Sequence, residues 1–422
     1  MLPLYSFIVL LLSPFLALYL IAFLWRRKEF RAGFRERLGM VAPVSDDAAR
    51  PRFWLHAVSV GEVMAALPLA RALKARWPRC AIFFSTITPA GRAIAEEKCP
   101  QASRILFFPL DLWPIARSVA RGFRPDLFVL VETDIWPTWL YVLKRRKIPA
   151  VMVNGRLSRR RLWARPFYRR VLNCFGYLCM QTEADAARAL QIGVDRERVA
   201  VTGNMKFAVA VARHEDPQSL AAELGVNPGA PLLIAGSTHP GEETEILDCY
   251  QRLRRRKLEV GLVIAPRHPD RTEKLEDLFR ARGIACARRS RAGFTSAASV
   301  ILLDTMGELF RLYGLGTFIF VGGSLVPRGG HNVLEPASWG KPIFFGPYME
   351  NYAGIAESLE RRGAAIRVKS GAELADQIAR LSSNPAELLE MGRRAASFIA
   401  ENQGCLEKNL AIIERVIAQP TE

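Results

Sequence analysis

From residue 50 onward, short apolar runs alternate with amphipathic stretches, and this alternation restricts the chain to parallel-sheet α/β folds. Phe53–Val58, Ala81–Thr86, Leu127–Val131, Ala150–Val153 and Tyr177–Met180 are apolar at consecutive positions rather than at every second one. Strands of that kind are covered on both faces, as in a parallel sheet flanked by helices. Between them lie segments such as Glu62–Arg76, whose apolar residues recur with helical spacing. A second series follows at Leu232–Ala235, Val260–Ala265, Val300–Leu303, Phe318–Val321 and Ile343–Phe345. Two series in 422 residues predict two Rossmann-like, doubly wound domains, at 51–210 and 211–422. The join is expected near residues 205–220, where His214-Glu215-Asp216-Pro217 interrupts the pattern. Leu406, Leu410, Ile413 and Ile417 form one stripe of a final helix, expected to pack back on the first domain.

The first 25 residues follow a different pattern. Leu2 to Trp25 carries no charge, and a helix of that length rises about 36 Å against a hydrocarbon core of about 30 Å. Basic residues come after the apolar run, at Arg26, Arg27, Lys28, Arg31, Arg35 and Arg37, rather than before it. That order predicts a transmembrane signal-anchor over 1–25 and a basic juxtamembrane segment over 26–50, with the remainder in the cytoplasm.

The formal charge is +18, concentrated between Lys144 and Arg170, where eleven Lys or Arg occur without one acid. Such a block suits anionic lipid heads, phosphorylated substrates or nucleic acid. No recognised nucleic-acid motif accompanies it, so no nucleic-acid partner is expected. A non-catalytic basic protein at a membrane surface would satisfy the charge but leave the loops described next without a purpose. Seven scattered cysteines contain no CxxC pair and no zinc spacing, which predicts reduced thiols and no structural metal.

Ligands of open α/β sheets bind outside the carboxyl ends of the strands, so the loops there carry the chemistry and are expected to face a cleft. His56-Ala57-Val58-Ser59-Val60-Gly61-Glu62 runs from a strand into a helix. Gly61 is expected to make a tight turn that presents Glu62, where the helix dipole lowers its pKa and it can serve as general base on a hydroxyl. Glu132-Thr133-Asp134-Ile135-Trp136-Pro137 follows another strand and can grip a sugar, or can simply cap a helix through Thr133 or Asp134. Lys206, in Gly203-Asn204-Met205-Lys206-Phe207, can offset negative charge that develops during reaction. In the second half, Arg267 follows Pro266 at a strand end and can hold a phosphate through two donors, while His268 reads as a positioning residue. Asp304-Thr305-Met306-Gly307-Glu308 is another strand-to-helix turn with N–H groups for an anion. Gly322 to Pro336 holds four glycines whose N–H groups can form an anion nest. Asn332 and Glu335, three apart, share a face, and Glu335 can accept from ribose hydroxyls.

The ordered segments HAVSVGE, STITPAGR, VETDIWP, NGRLS, GNMKF, AGSTHPGEE, APRHP, DTMGEL, GGSLVPRGGHNVLEPA and GKPIFFGP resemble the bacterial 3-deoxy-D-manno-octulosonic acid (Kdo) transferases over nearly the whole chain. The resemblance implies a GT-B fold, two Rossmann-like domains facing a cleft, and an inverting transfer of Kdo from CMP-Kdo to a lipid A precursor, lipid IVA, in lipopolysaccharide synthesis. No metal and no cofactor are implied, in keeping with the missing DxD motif. By position, Glu62 resembles the general base, and Glu132 and Lys206 the groups that stabilise the transition state. Pro266, Arg267, Met306, Gly307, Glu308, Asn332, Val333, Leu334 and Glu335 resemble the CMP site, with Ser324, Gly329 and Gly330 nearby. The implied location is the cytoplasmic face of the inner membrane, in contact with its lipids. Ala208 departs from the family pattern, where an Asp is expected. The competing enzyme class is another GT-B protein that uses a UDP-sugar.

Overall fold

The computed structural model describes residues 5, 11, 33–44, 49–210, 217–227, 229–291 and 300–418. The anchor expected over 1–25 lies outside the described residues apart from Tyr5 and Leu11, as do His214, Glu215 and Asp216. Among the described residues no helix is long and apolar enough to cross a membrane. All seven cysteines are free thiols. The chain divides into two units between Val209 and Ala210, and residues 402–422 belong with the first.

The first unit is built on a parallel sheet of β1 (Arg52–His56), β2 (Ala81–Thr86), β3 (Arg104–Phe107), β4 (Leu127–Val131), β5 (Ala150–Gly155), β6 (Tyr177–Met180) and β7 (Val199–Val201). Their order is β3-β2-β1-β4-β5-β6-β7. β1, β2, β4 and β5 are buried along their whole length, which is why their sequences run apolar without alternation. On one face Trp54 pairs in register with Phe83 and Phe128. Its ring meets Phe128 and Trp139 edge-on, with centroids 5.5 and 5.1 Å away, and its Nε1–H donates to Ser85 Oγ at 2.8 Å. The other face, with Phe53, Leu55 and Phe84, is covered by the helix Val60–Arg76 and by the last helix, Cys405–Ala418, which adds Ile412, Ile413 and Val416 to the same core.

The second unit repeats the plan with β8 (Leu232–Thr238), β9 (Gly261–Pro266), β10 (Cys286–Arg288), β11 (Val300–Leu302), β12 (Phe318–Val321), β13 (Ile343–Phe345) and β14 (Ala365–Arg367). The order is β10-β11-β9-β8-β12-β13-β14, parallel throughout. Four strands have no counterpart among the apolar runs: β3, β7, β10 and β14. They are the four sheet edges, and partial exposure removes the unbroken apolar run that marks a central strand.

The strand order reverses between β1 and β4 in the first sheet and between β8 and β12 in the second, where β10 and β11 are in addition exchanged at the edge. Connections leaving the two strands at a reversal pass to opposite faces, so their carboxyl ends bound an open crevice. Glu62 and Glu132 follow the first pair of strands, and His239 and His331 follow the second.

Candidate functional site

Glu62 sits in the first turn of the helix Val60–Arg76, whose N-cap Ser59 has extended backbone. Its carboxylate reaches back, with Oε2 accepting the Val58 N–H at 2.8 Å and Oε1 accepting the Ser59 hydroxyl at 3.0 Å. This variant of the capping box gives the side chain one orientation. Two expectations about this loop fail. Gly61 lies inside the helix rather than in a left-handed turn, and a Cβ there would meet only Ser59 Oγ, at 4.0 Å. Nor does the helix start hold the Glu62 pKa down. Burial pushes it up to about 7, against the Val58 hydrogen bond, and the nearby charges of Glu132 and Asp134 add to the rise. Glu62 is only 9% exposed, so desolvation outweighs the dipole.

Glu132, at the end of β4, adopts φ 64°, and Asn154, near the end of β5, adopts φ 56°. Left-handed backbone at a non-glycine residue costs of order 1 kcal/mol and persists where surrounding contacts enforce it. Those contacts are present. The Glu132 N–H donates to Val153 O at 2.9 Å, and Asn154 Nδ2 donates to Glu132 Oε1 at 3.3 Å. Asn154 Oδ1 accepts the Met205 N–H at 3.0 Å, and Gln181 Nε2 donates to Asn154 O at 2.9 Å. Asn204 Nδ2 donates to Gln181 Oε1 at 3.3 Å, while Asn204 Oδ1 accepts the Lys206 N–H at 3.0 Å. Glu132 and the Lys206 turn are therefore held by one network across the ends of β4, β5 and β6. Burial raises the Glu132 pKa, with Lys206 and then Arg156 pulling it back.

Neither Thr133 nor Asp134 caps the next helix, Pro137–Arg145. Its N-cap is Trp136, without a side-chain cap bond, and Asp111 from the β3 side accepts the N–H groups of Thr138 at 3.2 Å and Trp139 at 2.9 Å. Asp134 instead lies close enough to Glu62 and Glu132 to raise the pKa of both. Thr133 O accepts from Arg161 Nη2 at 2.8 Å, and that guanidinium also lies over the Tyr168 ring, 5.3 Å from its centroid.

In the second unit, the Gly323–Leu325 part of the anion nest expected over Gly322–Pro336 is already filled by Glu242. Oε2 accepts the N–H groups of Gly323 at 2.7 Å and His239 at 2.9 Å, and Oε1 those of Ser324 at 2.9 Å and Leu325 at 2.8 Å. Ser324 is fully buried, donating to Val321 O and accepting the Gly346 N–H. Gly329 and Gly330 take φ of 85° and 73°, and a Cβ on Gly330 would stand 2.3 Å from Met349 Sδ. They let the loop lie against Tyr348–Asn351. Asn332 Nδ2 donates to Glu335 Oε1 at 3.0 Å, and Asn332 Oδ1 accepts the Leu334 N–H at 3.0 Å. Val333 and Leu334 are fully buried, so their side chains serve packing. Pro266 ends β9 and Arg267 is exposed just beyond it. Met306 is exposed and Gly307 has φ 90°. Glu308 accepts from Thr305 and from Arg289, the latter at 3.0 Å; these bonds, with the Arg289 charge, hold its pKa down although burial opposes them.

The structure thus gathers Glu62, Glu132, Asp134 and Lys206 at one switch point. Asn154, Gln181, Asp111 and the His239–His331 pair are additions that no local pattern singled out. An Asn-Gly pair directly after an apolar run was the available signal for Asn154.

Comparison with known proteins bears on the family and the fold. A family model described as 3-deoxy-D-manno-octulosonic-acid transferase (kdotransferase) matches residues 32–209. A 3-deoxy-D-manno-octulosonic acid transferase of Chlamydophila psittaci is 30% identical over 374 residues, 87% of this chain and 86% of that one. That of Haemophilus influenzae is 29% identical over 416 residues, 97% of each chain. Among solved structures, a glycosyltransferase from Rickettsia africae covers 88% of this chain and all of its own (100%), with TM-score 0.54 and 12% identity. The kitacinnamycin glycotransferase covers 88% of this chain and 99% of its own, with TM-score 0.55 and 14% identity. At such identities these two show the shared GT-B fold alone.

Proposed function

Because the chain belongs to the 3-deoxy-D-manno-octulosonic acid transferase family, we propose that it transfers Kdo from CMP-Kdo to a hydroxyl of a lipid A precursor, lipid IVA. It is a glycosyltransferase of lipopolysaccharide synthesis. The observation that carries the mechanism is a buried Glu62 carboxylate with a pKa of about 7, oriented by Val58 and Ser59 at the β1–β4 switch point. A base with that pKa is half ionised near neutrality and still basic enough to take a proton from a polarised hydroxyl.

The Glu62 carboxylate accepts the acceptor hydroxyl proton as the hydroxyl oxygen forms its bond to the anomeric carbon of Kdo. The bond between that carbon and the phosphate oxygen breaks, and CMP departs with the electron pair. Attack opposite the leaving group inverts the anomeric centre. Lys206, which already lowers the Glu132 pKa, supplies positive charge where negative charge develops, and Glu132 keeps it in place. In this assignment Arg267 beyond Pro266 and the turn Met306-Gly307-Glu308 face CMP, and Glu335, paired with Asn332, accepts from its ribose hydroxyls. The chemistry calls for neither metal nor cofactor.

The acceptor and the donor are both anionic, and the exposed Arg159, Arg160, Arg165, Arg169 and Arg170 flank Trp163 along the chain, itself 90% exposed. We assign this face to the anionic cytoplasmic surface of the inner membrane, beside the anchor read from residues 1–25.

The test is CMP release from CMP-Kdo by the detergent-solubilised full chain, with and without tetra-acylated lipid A precursor. Release that requires the acceptor is expected. Turnover of a UDP-sugar in its place, with none from CMP-Kdo, would overturn the donor while leaving the fold.

A further inference from the structure

Three histidines, His239, His268 and His331, leave three separate strand ends of the second unit, those of β8, β9 and β12. His239 and His331 meet across the β8–β12 switch point. Their Nε2 atoms are 2.8 Å apart, with centroids 5.1 Å apart and rings inclined by only 5°. His268 stands edge-on to His239, with centroids 5.8 Å apart at 79°.

Two imidazole nitrogens at that separation hold one proton between them, one ring donating Nε2–H and the other accepting it. Burial first, then the surrounding cations, keeps both rings neutral. Arg328, His268, Arg267 and Arg271 lower the pKa of His239, and His239, Arg267 and His268 help to lower that of His331 to about 4.

The two buried acids in these loops do not answer this positive charge, and Asp270, two residues beyond His268, is exposed. Glu242 spends both oxygens on four backbone N–H groups, and Glu243 is paired with Arg271 at 2.9 Å. The pair is thus a floor of two ring nitrogens beneath a rim formed by the exposed Arg267, His268 and Arg328. Hydrogen-bond donors and positive charge collected where the buried carboxylates are already engaged are the complement of an oxyanion.

We propose that His239 and His331, with His268, Arg267 and Arg328 around them, form the seat for one oxyanion of the sugar-nucleotide donor. The proton now shared by the two rings turns to a ligand oxygen when the donor binds. This rests on the donor assignment made above. A donor of that class offers two sources of the same chemistry, the phosphodiester and the carboxylate of the sugar.

Calorimetric titration of the full chain in detergent with CMP and with cytidine separates the two sources, beside the KM for CMP-Kdo. The variants are His331→Ala, His239→Ala and Arg328→Ala, the last removing an exposed side chain and leaving the fold intact. A phosphodiester seat predicts that CMP affinity falls about tenfold or more towards that of cytidine, in Arg328→Ala as well as in the histidine variants. A carboxylate seat predicts unchanged CMP affinity and a KM for CMP-Kdo raised by a similar factor. CMP affinity and donor KM both unchanged in His331→Ala and Arg328→Ala would overturn the seat. Wild-type protein that binds UDP and not CMP overturns the donor assignment instead, and UDP then replaces CMP in the same comparison of variants.

Discussion

Asn154 donates from Nδ2 to Glu132 Oε1 at 3.3 Å, while its own Oδ1 holds the Met205 N–H at 3.0 Å, one residue before Lys206. One fully buried amide therefore sets the positions of two groups on separate loops, and its loss should be felt in turnover. Asn154→Ala is expected to lower kcat by about tenfold to a hundredfold, with little change in CMP affinity. Asn154→Asp keeps the acceptor for Met205 but sets a second carboxylate against Glu132, and should displace the acid limb of the kcat/KM profile. A variant with wild-type kcat and an unaltered profile would show that Asn154 merely packs.

With a Glu62 pKa of about 7, activity should rise from acid pH, reach half its limit near neutrality and level off above. Glu62→Gln should remove that limb and lower kcat about 100- to 10,000-fold. Retention of the acid limb in Glu62→Gln would assign it to another group.

The same raised pKa has a consequence for stability. Glu62 binds its proton more tightly folded than unfolded, so stability falls as pH rises from the ordinary value of 4.5 through about 7. Glu62→Gln should therefore compare more favourably with wild type in Tm at pH 8 than at pH 4. An identical Tm difference at both pH values would contradict the raised pKa.

Arg161 differs from its neighbours in the basic block, since its guanidinium is engaged with Thr133 O and the Tyr168 ring. Reversing Arg159 and Arg160 to Glu should weaken co-sedimentation of the protein with anionic liposomes, and raise its salt sensitivity, without changing kcat on detergent-dispersed acceptor. Arg161→Ala should reduce kcat instead, through the loop that carries Glu132 and Asp134. Unchanged liposome binding by an anchor-less chain bearing both reversals would remove this face from membrane contact.

Ile413 is fully buried in the core that β1, β2 and β4 share with the helix Val60–Arg76. Ile413→Ala should destabilise the first unit by about 2–5 kcal/mol, although the residue is far along the chain from that unit's strands. Denaturant unfolding followed by Trp54 and Trp139 fluorescence, both in this unit, would reveal it.

The ten central strands are legible in the sequence because each is covered on both faces and so cannot alternate, while the four edges lack that mark. The outcomes at Glu62 and Glu132 are more mixed. Residue type and position after a strand marked both, but the helix-dipole expectation for Glu62 had the sign of its pKa shift reversed. The cap for Pro137–Arg145 comes from Asp111, 28 residues from Trp139, and the occupant of the Gly323–Leu325 nest is Glu242, more than 80 residues away. Local pattern rules score a loop by its own residues and cannot supply a distant carboxylate.

What the sequence by itself determined is the set of elements and the chemical character of the loops between them, since apolar runs, turn residues and family motifs are properties of adjacent positions. What only the tertiary structure decided is which loops meet. β1 lies beside β4, and β8 beside β12, so Glu62 comes to share a field with Glu132 and His239 comes to touch His331. Strand order is settled by how whole faces bury one another. The raised pKa of Glu62 and the lowered pKa values of the histidine pair follow from that burial, because desolvation and charge–charge energies depend on distance in space rather than on separation along the chain.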